Sequence, residues 1–305
     1  MLRFIFARVG GGILVVLAAT TIAFFLLRAA PGGPFDGEAK MSAEVKRNLE
    51  KSLQLDKPLY VQYATYITNV VQFDLGQSIK RRQTVNELIA KQFPYSLKLG
   101  AFALTFAVLF GVGLGVVAAS RRNTRVDYGF MSMALFGLSI PSIVLGPLLQ
   151  NVFALKLGWL PMARAEGFTS YILPGMTLGL IYAGTIARLS RGSMLEVLGQ
   201  DYIRTARAKG LSERTVIWKH GLRLGLIPVV TYLGPATAAL LSGSFVVERI
   251  YQIPGLGHYF ISAVGDRDHM LLCGCLVFYV SILVTLNILI DIAYGFLDPR
   301  IRGQR

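Results

Sequence analysis

The chain has 305 residues, of which 53% are hydrophobic and only 16% charged, with a mean hydropathy of +0.54. That composition excludes an ordinary soluble domain and marks an integral membrane protein. A net charge of +14 would direct a soluble chain toward nucleic acid, but in a membrane chain the information lies in which loops hold the Lys and Arg.

A span needs roughly 20 predominantly apolar residues. Six stretches qualify, near 9–27, 99–119, 130–155, 172–190, 225–247 and 271–295, so the expected fold is an all-α polytopic bundle of six transmembrane helices. The first follows Arg3 and Arg8, but no A-x-A site closes it and its apolar run exceeds a signal core, so it reads as a membrane anchor. The ends and loops at 1–8, 120–127, 188–223 and 298–305 sum to +11, whereas those at 30–97, 156–171 and 248–270 sum to +2. The positive-inside rule therefore places both termini and the 188–223 loop in the cytoplasm.

After the first span, the segment 31–97 opens with PGGP and carries amphipathic patterns such as SAEVKRNLEKSLQL, which predict a helical extracytoplasmic layer. Within it, Leu59, Tyr63, Tyr66, Ile67 and Val70 recur at helical spacing and read as a packing face. Gly111, Gly113 and Gly115 superficially suggest a phosphate cradle, but they lie inside the second span with no strand before them. Close helix packing is the better reading, there and at Gly175 and Gly179. Pro141, Pro147, Pro174, Pro228 and Pro235 each remove a backbone donor from a span and predict kinks.

The most informative stretch is the polar, basic island at 200–231 between the fourth and fifth spans. Asp201 reads as an N-cap, Tyr202 to Lys209 as two helical turns, Gly210 as a left-handed stop, and Ser212 as the cap of a second helix ending near His220 and Gly221. Pinned between spans, such a pair suits a protein partner better than DNA. Arg204, Arg207 and Lys209 offer charge to an acidic rim, while Tyr202, Ala206 and Leu211 offer apolar contact. Between the last two spans, Pro254, Gly255 and Gly257 mark a turn that either dips into an aqueous mouth or caps the bundle.

Enzyme signatures are missing, including H-E-x-x-H, G-x-S-x-G and the G-x-x-x-x-G-K-[ST] phosphate loop. The i, i+2 spacing of Cys273 and Cys275 points them to different helix faces, and His220, His258 and His269 are scattered, so neither disulfide nor metal site is assigned. Asp291, on one face with Asn287, reads as a helix-end carboxylate meeting a neighbouring subunit or interfacial water.

Taken in order, LDKPLYVQY at 55–63, DLGQS at 74–78, SIPS from Ser139, WLP from Trp159, RGSMLEVLGQDYIRTARAKGL at 191–211, PGLG at 254–257, RD at 267–268 and DPRIR at 298–302 resemble the permeases of binding-protein-dependent ABC importers. The form is that of the oligopeptide, dipeptide and nickel branch, nearest the B-type subunit of oligopeptide systems. Where the general importer loop has Glu-Ala-Ala this chain has Arg204, Thr205, Ala206, and the gap from Gly210 to Pro228 is longer, both as in the peptide-type branch.

The resemblance implies a type I importer permease fold. Residues 1–30 would form the N-terminal end and first span, 31–97 an extracytoplasmic insertion, and 98–305 a five-helix core with a coupling loop at 191–224 and an outer loop at 248–270. It implies a multi-pass protein of the bacterial cytoplasmic membrane. Its partners would be a second permease, two ATPases that bind the ATP and Mg while this chain binds no cofactor, and an extracytoplasmic binding protein. Asp201, Tyr202, Arg204, Thr205, Ala206, Arg207, Lys209 and Gly210 would couple to the ATPases. Tyr251, Pro254, Gly255, Leu256, Gly257 and Asp268 would face the binding protein or form a gate. The implied cargo is oligopeptides, with dipeptides or nickel chelates as alternatives in the same family. A self-contained carrier or channel is the competing class, against which the island and the lack of a clear internal repeat argue.

Overall fold

A computed structural model describes residues 2–29, 57–162 and 167–297. The amphipathic stretch at 42–55 and the DPRIR run at 298–302 lie outside the described residues. In chain order the helices are α1 (Leu2–Ala29), α2 (Leu59–Val71), α3 (Val85–Ser120), α4 (Arg125–Ser139) and α5 (Ser142–Leu149), the last continued by a π-helical turn over Gln150–Lys156. A 3-10 turn at Phe168–Tyr171 leads into α6 (Ile172–Leu198), followed by α7 (Asp201–Ala208) and α8 (Glu213–Thr215). A π-helical Val216–Gly221 joins α8 to α9 (Leu222–Gly225), before α10 (Ile227–Leu241), α11 (Phe245–Ile250), α12 (Leu256–Gly265) and α13 (His269–Leu297). Among the described residues the one β feature is an isolated bridge between Gln77 and Thr84. Helices dominate because hydrocarbon offers no partner to an exposed N–H or C=O, so each span must satisfy its backbone internally.

Among the described residues four helices are apolar and long enough to span, at Ile5–Ala29, Val85–Ser120, Phe168–Leu198 and His269–Ile292, and two bent pairs, each counted as one span, bring the number to six. The expected third span, 130–155, is not one rod: α4 and the helix from Ser142 to Lys156 meet at 110°. Ile140 precedes Pro141 and is driven from the helical region to φ −91°, ψ 120°. Pro141 then stands before α5 with no N–H to give. The fifth span bends by 53° between Gly225 and Ile227, with Pro228 in the first turn of α10, and α10 itself ends at Leu241, short of the expected 247. Pro147 and Pro235 are accommodated inside helices.

The chain divides into two compact units, Met1–Pro94 with His258–Arg305, and Tyr95–Gly257. In the first, α1 packs along α13: a Cβ on Gly12 would come within 2.8 Å of both Ile288 Cδ1 and Val284 Cγ1. Arg8 Nη1 meets Asp291 Oδ2 at 2.9 Å, so the partly exposed Asp291 carboxylate near the helix end also has a partner inside its own chain. Tyr66 of α2 is buried with Phe24, Cys273 and Val277, with Tyr63 and Val70 packed beside them, whereas Leu59 is exposed. Both cysteines are free and buried.

In the second unit, small residues let helix backbones approach. A Cβ on Gly115 of α3 would lie 2.5 Å from Ala187 O of α6, one on Gly111 would lie 2.8 Å from Ala183 O, and one on Gly179 would lie 2.7 Å from Ala103 O. Gly175 likewise sits on Phe102, but Gly113 faces open space. The core of this unit gathers Leu99 and Ala103 of α3, Leu173 and Leu178 of α6, Leu240 of α10, and Val247, Tyr251 and Ile253.

Candidate functional site

The island is built onto the end of α6. Only Gly199 and Gln200 separate Leu198 from α7. The N-cap is Gln200, at ψ 154°, and not the expected Asp201, which is the first helical residue with its carboxylate in solvent. An acidic group in the first turn complements the positive helix end without capping it. At the other end Gly210, at φ +77°, donates to Arg207 O at 2.9 Å while Leu211 N–H reaches Ala206 O at 3.3 Å. That pair of bonds is a Schellman stop, and the left-handed residue it needs is why glycine stands there. Ser212 accepts from Thr215 N–H and caps the second helix, which runs through its π-helical turn to Gly225, beyond the expected end near Gly221.

Apolar contacts hold the island in place. Ile203 and Ala206 are buried against Val216, with Leu198 beside them. The second helix is seated on α6, where Ser193 Oγ donates to Gly225 O at 2.7 Å and Gly221 lies against Met194 and Leu198. Ala206, read from sequence as part of the docking face, therefore points inward. Asp201, Tyr202, Arg204, Thr205, Arg207, Lys209 and Gly210 are exposed. Arg204 pairs loosely with Asp201 at 3.3 Å. Arg207 is held by Glu213, through Nε to Oε1 at 2.7 Å and Nη2 to Oε2 at 3.2 Å, and those bonds to the carboxylate hold its guanidinium above its ordinary pKa. The island is thus a rigid platform with a mixed, mostly cationic face.

The loop between α10 and α12 is organised by a residue that the sequence reading passed over. Glu248 is fully buried. Its Oε2 accepts from Gly257 N–H at 2.7 Å and its Oε1 from Ser244 N–H at 3.4 Å, while Ser96 Oγ accepts from Leu256 N–H at 2.9 Å. A Cβ on Gly255 would lie 2.6 Å from Ser96 Oγ and on top of the Glu248 carboxylate. The glycines of PGLG therefore let the loop wrap a buried acid. The available signal was an acidic residue six positions before Pro254, at the end of the apolar run 245–247.

Tyr251 is also buried, its hydroxyl hydrogen-bonded with Thr177 Oγ1 at 2.8 Å and donated to Gly146 O at 3.2 Å. Burial pushes its phenol up to about 12, so it stays neutral at ordinary pH. Gln150 donates to Met162 O at 2.7 Å, fixing the turn that follows WLP. Of the six expected outer-loop residues, Tyr251, Gly255, Leu256 and Gly257 are buried, Pro254 is half-buried, and Gln252 between them is exposed. Asp268 belongs to the other unit, where its buried carboxylate accepts from Ser78 Oγ of the DLGQS run, from Lys80 N–H at 3.4 Å and from Leu271 N–H at 3.1 Å. These residues anchor their loops from within. Among the described residues no three of His, Cys, Asp and Glu converge as a metal-ligand set.

The comparisons with known proteins bear on the same segments. Residues 111–303 match the family of binding-protein-dependent transport system inner membrane components, and residues 1–100 match the N-terminal part of such components. The chain belongs to that family. The permease is 44% identical over 303 residues to the dipeptide transport system permease of Bacillus subtilis, covering 99% of this chain and 98% of that one. It is 43% identical over 305 residues to the oligopeptide transport system permease of Haemophilus influenzae, covering 99% and 100%. It is 39% identical over 304 residues to the glutathione transport system permease of Salmonella choleraesuis, covering 99% of each. An inward-facing structure of the MetNI methionine ABC transporter superposes with a TM-score of 0.54 at 20% identity, over 69% of this chain and 94% of that one. That likeness establishes the importer-type permease fold, and the protein is a multi-pass membrane component.

Proposed function

We propose that this permease carries peptides inward across the cytoplasmic membrane as one subunit of an ATP-driven, binding-protein-dependent importer, with oligopeptides as first cargo and dipeptides within reach. The observation that carries the reading is the island. Its exposed residues Asp201, Tyr202, Arg204, Thr205, Arg207, Lys209 and Gly210 stand on a helix whose other face, Ile203 and Ala206, is locked to the end of α6. A rigid lever with a polar outer face at the end of a span transmits a push; a self-contained carrier has no use for one.

On this reading two cytoplasmic ATPases bind and hydrolyse ATP with Mg, this chain holds no cofactor, and a second, similar permease completes the pore. Closure of the ATPases displaces the island, and the bundle alternates between outward and inward openings, each state favoured by contacts that the other lacks. An extracytoplasmic binding protein delivers the peptide to the outer loops. Both termini face the cytoplasm. The full-length similarity to dipeptide, oligopeptide and glutathione permeases supports peptide-type cargo.

The test is mild purification of a C-terminally tagged chain from its native membrane, followed by reconstitution with whatever accompanies it. Recovery of a second permease and two ATPases, and ATP-dependent uptake of a labelled oligopeptide into proteoliposomes, is the expected result. A chain recovered alone after mild crosslinking, with uptake that ignores ATP, refutes the proposal.

A further inference from the structure

Near the island end of the second unit lies a largely buried ion pair that uses none of the residues expected above to couple to the ATPases or to face the binding protein. Asp127, in the first turn of α4, has a side chain only 1% exposed, and Arg191 of α6 grips it in parallel: Nε to Oδ1 at 2.6 Å and Nη2 to Oδ2 at 2.8 Å. Asn123 N–H adds a third bond to Oδ2 at 2.9 Å, and Thr124 caps the same helix by accepting from Asp127 N–H. The carboxylate is thus saturated by a two-pronged guanidinium and a backbone donor, an arrangement that fixes angle as well as distance.

Its placement matters more than its strength, since a buried pair adds little net stability over apolar packing. Arg191 stands about two turns before the end of α6, and α7 follows after Gly199 and Gln200. Farther along the same two helices the backbones nearly touch: a Cβ on Gly184 of α6 would lie 2.5 Å from Ala134 O of α4, and one on Gly137 would lie 3.3 Å from Leu180 O. α4 then runs to the 110° bend at Pro141, beyond which Gly146 O is held by Tyr251. Those approaches are close but non-directional packing, whereas the ion pair is a directional contact between the same two helices at the island end.

We propose that Asp127 and Arg191 are a positioning pair that makes α4 travel with α6 when the island is displaced, so that the push reaches the bend at Pro141 and through it the outer loop. This rests on the importer reading. Without the pair the island would move α6 alone, and ATP would be hydrolysed with little transport.

Two measurements on the complete reconstituted assembly test it. The first is peptide uptake per ATP hydrolysed, normalised to assembled complex, for Asp127→Asn, Arg191→Gln and the double variant Asp127→Asn/Arg191→Gln. Each single variant is expected to hydrolyse ATP but to lose about tenfold in uptake per ATP, and the double to be no worse than either, because both changes break one contact. An unchanged ratio in the assembled variants, or losses that multiply in the double, overturns the proposal; a purely structural staple would lower the amount of complex and leave the ratio alone.

The second measurement needs no change at the pair. Gly129 of α4 and Gly192 of α6 are exposed with open space around their Cα atoms, so spin labels on cysteines there report the separation of the two helices. That separation is expected to stay constant between nucleotide-free and ATP-trapped assemblies, and a change approaching one helical turn, about 5.4 Å, overturns the proposal even if every pair variant fails to fold. Wild-type assemblies that show no ATP-dependent uptake would refute the importer reading, whereas coupled wild-type uptake with unaltered ratios in the variants removes only the role of the pair.

Discussion

Glu248 illustrates how one buried acid organises a loop that composition alone would leave undefined. It is fully buried and accepts N–H groups from both ends of the loop, at Ser244 and Gly257. Removing it strands those donors, and losing a hydrogen bond to a charged group costs roughly 1.5–3 kcal/mol. Glu248→Ala is therefore expected to lower the apparent melting temperature of the detergent-solubilised protein clearly, with Glu248→Gln falling between it and wild type. Equal melting for all three would remove the anchoring role. Gly115 makes a second residue-scale case: with Ala187 O only 2.5 Å from where a Cβ would stand, Gly115→Leu must drive α3 from α6. Overpacking of that kind costs about 1–3 kcal/mol and is expected to appear as loss of monodisperse protein in size-exclusion chromatography, whereas Gly113→Leu, in open space, is expected to elute as wild type.

At the scale of elements, α7 is the one most completely legible in the sequence. A polar run closed by glycine and followed by serine reads directly as helix, left-handed stop and new cap, because each of those signals is local. Asp201 has capping chemistry, but in the structure its carboxylate bonds Arg204 while Gln200, one residue earlier, takes the extended conformation of the N-cap. Gly210→Ala puts a Cβ into the left-handed region at a cost of about 1–2 kcal/mol. It should loosen the island and reduce ATPase association and coupled uptake without abolishing insertion into the membrane. Arg204→Glu, on the exposed face, is expected to weaken co-purification of the ATPases roughly tenfold, equivalent to about 1.4 kcal/mol, with the melting temperature unchanged. Intact association would show that this face is not the docking surface.

For the whole molecule, the charge asymmetry between alternate loops predicts orientation. Single cysteines placed after the N-terminal Met and at Phe73, which is 84% exposed on the loop after α2, should label from opposite sides of sealed vesicles, the N-terminal one only from the cytoplasm. Labelling of both from one side would overturn the six-span topology. The Arg8 and Asp291 pair joins the first helix to the last within one unit, so exchanging the two charges in one chain should restore assembly lost in either single reversal.

The sequence by itself determined the membrane class, six apolar stretches, the helix and turn of the island, and, through several separated motifs in order, the importer family, since all of these rest on composition, period and local chemistry. Of the five prolines it marked as kinks, Pro141 and Pro228 stand at bends, because proline acts on its own neighbours, whereas Pro147, Pro174 and Pro235 lie within continuous helices. How sharply they kink was decided by packing: Pro141 marks a 110° turn while Pro147 stays inside a helix. Only the tertiary structure turned Ala206, Tyr251 and Gly255 inward, joined Arg8 to Asp291, and set Asp127 against Arg191. Each of those outcomes depends on which surfaces meet across tens or hundreds of residues, and an amphipathic or glycine-rich segment carries no local record of whether its inner face will meet lipid, water or its own chain.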